Sequence, residues 1–297
     1  MFDGAPIAWW IGFHVVVLML ILVDLLVLGR GEASNQNRHN FLFVLFLLIL
    51  AAGFGVWIGH DEGRQRGLEF AAGYLIELSM SIDNLFVFLL MFRSFGLSGE
   101  AQRKALLLGI VGAIVMRGLF IFAGIALLER FAWIQYVFGA LLVIAAVRLL
   151  PGKKHESTPP AANWITQWAE RLSGGRANTS RATFLLAVVA IELVDLVFAI
   201  DSVPAVLAIS HHPFVVYTSN ICAILGLRAL YFLLAGLLER LRFLHFGLAA
   251  ILGFVGLKMM LAKLVSVPVA YSLGFIVLVI AAATGASLIF KGQDSHA

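Results

Sequence analysis

The chain has 297 residues, 61% of them hydrophobic and only 13% charged, with a formal net charge of +4. So little polar surface cannot wrap a soluble domain of this length, so a soluble enzyme is excluded and lipid is the expected solvent. The single cysteine, Cys222, excludes an internal disulfide and any CxxC zinc or redox motif, and the scattered basic residues form no aromatic-interleaved stripe for nucleic acid.

Hydrophobic runs bounded by charges, glycine or proline predict nine spans, at 7–28, 41–59, 68–92, 105–128, 132–150, 183–209, 214–238, 243–262 and 268–290. Runs of about 20 residues cross a ~30 Å hydrocarbon core. Backbone groups in lipid must satisfy one another, so these spans are expected to be helices. The first run lacks a basic leader and a small-residue cleavage site, and reads as a retained helix, not a signal peptide. Segment 151–182, with Lys153, Lys154, Pro159, Pro160, Gly174 and Gly175, reads as the one long polar loop, with room for a short surface helix over 163–172.

Charge orients the spans. Fourteen lysines and arginines fall on one side, among them Arg30, Arg103, Lys104, Lys153, Lys154 and Arg240. Only Arg64, Arg66, Arg130 and Lys263 fall on the other, and Arg117, Arg228 and Lys258 lie inside spans. The positive-inside rule then predicts an outer N-terminus and a cytoplasmic C-terminus.

The third span carries Glu77-Leu-Ser-Met-Ser-Ile-Asp83-Asn84 and the sixth carries Asp195-Leu-Val-Phe-Ala-Ile-Asp201-Ser202. Further matches follow in order: Arg117-Gly-Leu-Phe with Arg228-Ala-Leu-Tyr, Glu129-Arg130 with Glu239-Arg240, and Gly139 through Arg148 with Ala249 through Lys258. Residues 68–150 and 183–262 thus read as two copies of one three-helix unit. An odd number of spans reverses the second copy, which is the inverted-repeat plan of secondary transporters, with sites near the midplane. The expected fold is an all-α polytopic membrane protein of about nine helices, forming a single transmembrane domain built on that repeat.

Six acids are read as lying within spans: Asp24, Glu77, Asp83, Glu192, Asp195 and Asp201. An ionised side chain at the bilayer centre costs at least ~2.5–3.5 kcal/mol. Three buried cations cannot neutralise six carboxylates, so a proton or a metal ion must supply the rest. Glu192 and Asp195, three apart, share a helix face. Glu77 and Asp83 are six apart, as are Asp195 and Asp201, which is about 600° of rotation and puts each pair on different faces of an intact helix. Both pairs are expected to face one centre through a break near the second acid, which Pro204 favours in the sixth span. Ser79, Ser81 and Asn84 would satisfy freed backbone groups or act as ligands. An all-oxygen set suits Mg²⁺, Mn²⁺ or Ca²⁺ and suits Cu(I) or structural zinc poorly. Met80 reads as a packing residue, and His211-His212-Pro213 as a solvated outer turn. Asp24 is left between an ion-path role and a helix-pairing role.

Residues 77–88, 192–205, 213–220 and 225–232 resemble the TerC family of integral membrane proteins, in particular its Alx-like branch, along nearly the whole chain. Met80 stands where Leu is more usual. The resemblance implies a bacterial plasma-membrane protein that exports manganese, in a family named for tellurium resistance. It carries the metal role onto Glu77, Asp83, Asn84, Glu192, Asp195 and Asp201, to which Ser202 is added as a candidate ligand. The expected function is export of a divalent cation, Mn²⁺ as transported ion, by exchange for protons, with the lipid bilayer as the other partner, no organic cofactor and no nucleic acid. No Walker A motif and no His beside Ser79, Ser81 or Ser202 point to an enzyme. The competing reading is a non-transporting scaffold of a stress-resistance complex, for which only 151–182 and the tail 291–297 offer a surface.

Overall fold

A computed structural model describes residues 5–24, 36–97, 99–131, 133–149, 181–234, 243–262, 264 and 267–289. The predicted long loop, its short helix and the C-terminal tail lie outside them. Among the described residues there is no strand, and ten helical segments follow one another. These are α1 (Ile7–Val23), α2 (Gln36–Asp61), α3 (Arg64–Ser94), α4 (Glu100–Arg130), α5 (Ile134–Leu149), α6 (Arg181–Leu207), α7 (Pro213–Leu225), α8 (Leu227–Leu234), α9 (Leu244–Met260) and α10 (Val269–Ile289). Only Gly226 separates α7 from α8, so the two form one span, and the nine predicted spans are all present. Five stretches, 38–61, 64–89, 100–130, 213–233 and 269–287, are long and apolar enough to cross a membrane by length and composition.

The outside of the bundle is apolar. Val56 is 73% exposed, Leu119 64% and Leu278 66%, a surface that hydrocarbon and not water would cover. The inside holds the polar side chains: Glu77, Arg117, Asp195, Ser202, Asn220 and Arg228 are all buried. Helix α7 is the innermost, with nearly every residue from Phe214 to Leu225 buried. Pro213 opens it at a position where a missing N–H costs nothing. Trp10, Phe13 and Phe54 pack around Phe214, and Tyr217 packs on Trp10 and Phe13, pinning α1 and α2 to its start.

Glycines set the close crossings. A side chain at Gly67 of α3 would strike the backbone of Gly55 and Gly59 in α2, and Gly139 of α5 lies as tightly against Gly256 of α9. Gly63 has φ 99°, a left-handed turn between α2 and α3 that glycine adopts without strain.

The contacts between the two groups of helices come in matched pairs. Helices α3 and α6 pack together, as do α4 and α7, and α5 and α9. The contact of α4 with α6 is answered by α3 with α7, and that of α5 with α6 by α9 with α3.

One expectation fails. Helix α6 runs unbroken through Asp201 with Pro204 inside it, and α3 is continuous through Asp83. Pro204 removes a single rung three residues before the helix ends, and its carbonyl still accepts from Ala208 N–H at 2.9 Å.

Candidate functional site

With α3 and α6 intact, spacing decides which side chains meet. Seven residues make nearly two turns, so Asp195 and Ser202 share one face of α6. Glu77 and Asn84 share the corresponding face of α3. Asp201 and Asp83 each sit one residue earlier, about 100° away.

Arg117 of α4 occupies the centre with no exposed surface. Its guanidinium forms an ion pair with Glu77, which is itself fully buried, and donates to Asp195 Oδ1 at 3.3 Å. It also donates to Ser202 Oγ at 3.0 Å and to Asn220 Oδ1 at 2.9 Å. Four helices therefore converge on one cation: α3, α4, α6 and α7. Ser81 donates to the Glu77 carboxylate at 3.4 Å. The group carries two carboxylates against one guanidinium. Three of its polar atoms find no hydrogen-bond partner: Glu77 Oε2, Arg117 Nε and Asn220 Nδ2. Buried polar atoms are normally satisfied, so this concentration of idle ones marks the region.

Glu192, one turn before Asp195, is half-buried where α6 crosses α4 at Gly112. A side chain on Gly112 would run into the Glu192 carboxylate. Asp201 is half-buried, and Asn84 is buried. Asp83 lies on α3, but its side chain is outside the described structure. Among the described residues, no three His, Cys, Asp or Glu side chains gather to hold a metal ion by themselves. Of the predicted ligands, Glu77, Asp195 and Ser202 come together, around an arginine.

Two residues escaped the sequence reading. Asn220 ends a short polar run, Thr218-Ser219-Asn220, in an otherwise apolar helix and carries no periodic signal, although it closes the stretch 213–220 that carries the family resemblance. Glu69, at the edge of the third span, was passed over among the acids. It is buried and accepts from Arg66 at 2.8 Å, Gln65 at 3.0 Å and Ser210 at 2.6 Å. Ser210 in turn accepts from the His212 N–H at 3.2 Å, so this contact staples the α6–α7 turn onto α3.

The other two cations inside the spans are partnered. Arg228 of α8 pairs with Asp24 at 2.7 Å, which assigns Asp24 a helix-pairing role, and Lys258 donates to Ser272 at 3.0 Å.

Comparison with known proteins decides the family. The model of the TerC family of integral membrane proteins matches residues 62–295. The chain belongs to the TerC family. A Salmonella typhi protein named "Putative membrane-bound redox modulator Alx" is 39% identical, covering 92% of this chain and 91% of its own. Its namesake from Escherichia coli K12 is 38% identical over 92% and 91%. A Myxococcus xanthus protein, "Uncharacterized membrane protein STKORF319", is 36% identical over 96% and 93%. No solved structure matches the chain.

Proposed function

We propose that this TerC-family protein is a secondary transporter that exports a divalent metal ion, manganese foremost, in exchange for protons. The observation that carries the reading is the charge imbalance at Arg117, where Glu77 and Asp195 share one buried guanidinium. A site with surplus buried carboxylate charge is stable only with protons or a further cation on it. The described partners of Arg117 meet it through oxygen atoms, the chemistry hard divalent ions prefer. Glu77, Asp83, Asn84, Glu192, Asp195, Asp201 and Ser202 are the proposed path and ligand residues, with Asn220 added to them.

The matched helix contacts support an inverted pair of three-helix units meeting at this site. A pseudo-twofold relating α3, α4 and α5 to α6, α7/α8 and α9 turns each contact between the two units into another observed one. The basic residues favour a plasma-membrane orientation with the C-terminus in the cytoplasm. Expelling a dication against 100 mV costs about 4.6 kcal/mol, twice the ~2.3 kcal/mol per unit charge, and proton entry offsets it. The relatives' name points to redox, yet one cysteine offers no dithiol within the chain.

Purified protein in proteoliposomes tests the reading. Manganese flux should follow an imposed pH gradient and collapse when a protonophore dissipates it. Asp83→Asn and Asp201→Asn should fold and lose flux; normal flux in either would sink the mechanism.

A further inference from the structure

We propose that Arg117 is a tethered substitute for the transported cation, holding the carboxylates while the site is empty and yielding them to the incoming metal ion. The inference rests on the transporter reading and says how its site stays folded between cargoes. Three of the four side chains on the guanidinium, Glu77, Asp195 and Ser202, are residues that the sequence assigns to the metal. Both cations would therefore use the same oxygens. An empty site without Arg117 would bury two carboxylates side by side with no countercharge, a state that folded proteins avoid.

The fit is also incomplete in a way that favours replacement. Arg117 leaves its Nε–H idle, and Glu77 keeps one carboxylate oxygen unbonded. An entering dication thus finds an acceptor oxygen on Glu77 before it needs to dislodge the guanidinium. Arg228 behaves differently, since one of its nitrogens takes both the carboxylate and the carbonyl of Asp24. Arginine stays protonated at any physiological pH, so Arg117 can yield only by moving its side chain. Competition between a fixed charge and a mobile one follows: whatever weakens Arg117 strengthens metal binding and slows the return to the empty state.

The test compares wild type with Arg117→Gln and Arg117→Lys, as full-length protein, by equilibrium Mn²⁺ binding in detergent and by Mn²⁺ flux in proteoliposomes. Removing a unit charge next to the bound dication should tighten binding of Arg117→Gln about tenfold or more, and abolish turnover. Arg117→Lys keeps the charge but not the fork that spans both carboxylates. It should bind severalfold tighter than wild type and turn over slowly, and it decides the matter if the glutamine variant does not fold. Equal or weaker binding in the folded variants overturns the competition, even where wild type transports well. Tighter binding in the variants without gradient-driven flux in wild type keeps the competition and sinks the transporter reading instead.

Discussion

Arg117 and Arg228 open similar short stretches of sequence, each followed by a small residue, a leucine and an aromatic. Their surroundings differ. Arg228 meets one acid, Asp24, charge for charge, at the junction where α8 follows α7. Arg117 meets two acids, a hydroxyl and an amide, and leaves atoms idle on both sides of the contact. A balanced buried pair fastens two helices and asks nothing of its environment. An unbalanced one must exchange charge with something else. Motif symmetry thus places the two arginines, while the count of acids around each assigns the work.

The largest effects should separate the two arginines. Asp24→Asn leaves Arg228 buried with its charge unmet, and should cost about 3–5 kcal/mol in unfolding experiments. Manganese flux per folded molecule should stay close to wild type. Glu77→Gln or Asp195→Asn should instead cut flux by about a hundredfold or more, since these are proposed ligands and even residues behind a metal ligand cost 10–100-fold. Replacing Asp24 and Arg228 together by Leu and Met should recover stability, as apolar substitutes for buried ion pairs often do. The corresponding apolar replacement of Glu77, Asp195 and Arg117 should recover folding without flux. Loss of flux in the stable Asp24/Arg228 double variant would erase the distinction.

Why the fold was legible and the site only partly so follows from the same residues. Nine apolar runs needed only length and bounding charges, and the spans match to within a few residues, except where neighbouring segments lie outside the described structure. The site required knowing which helix faces meet. Six-residue spacing predicts a break in α3 and α6 if Asp83 and Asp201 are to face the same centre as Glu77 and Asp195. The seven-residue partners, Asn84 and Ser202, need no break, and the helices stay whole. That Arg117 sits among the carboxylates depends on how α4 docks against α3 and α6, a long-range fact no local pattern encodes. Asn220 reaches the centre for the same reason.

A smaller effect concerns Gly112, which has no equivalent beside Arg228. Gly112→Ala would push against the Glu192 carboxylate, the far end of a flexible side chain that can swing aside. Stability should barely change, whereas flux should fall severalfold because Glu192 leaves its place one turn from Asp195. Shortening the acid in Gly112→Ala/Glu192→Asp should restore part of the loss. A thermal midpoint that falls together with flux would make Gly112 a packing residue only.

The smallest effect lies at the outer turn. His211 sits between α6 and α7, the hairpin that brings Asp195, Ser202 and Asn220 to Arg117 and stops short of Arg228. Burial pushes its imidazole below the ordinary value of 6.5, against the opposing pull of Glu69 and Glu129. A histidine with a depressed folded value stabilises the fold above the unfolded value and loses that contribution as pH falls through it. Acidifying from pH 7 to 5 should therefore loosen the turn slightly, since much of the residue remains exposed. Hydrogen exchange should quicken at the amides of residues 208–212 and leave those around Arg228 unchanged. His211→Gln should flatten that pH dependence; an unaltered profile would rule out His211 as its source.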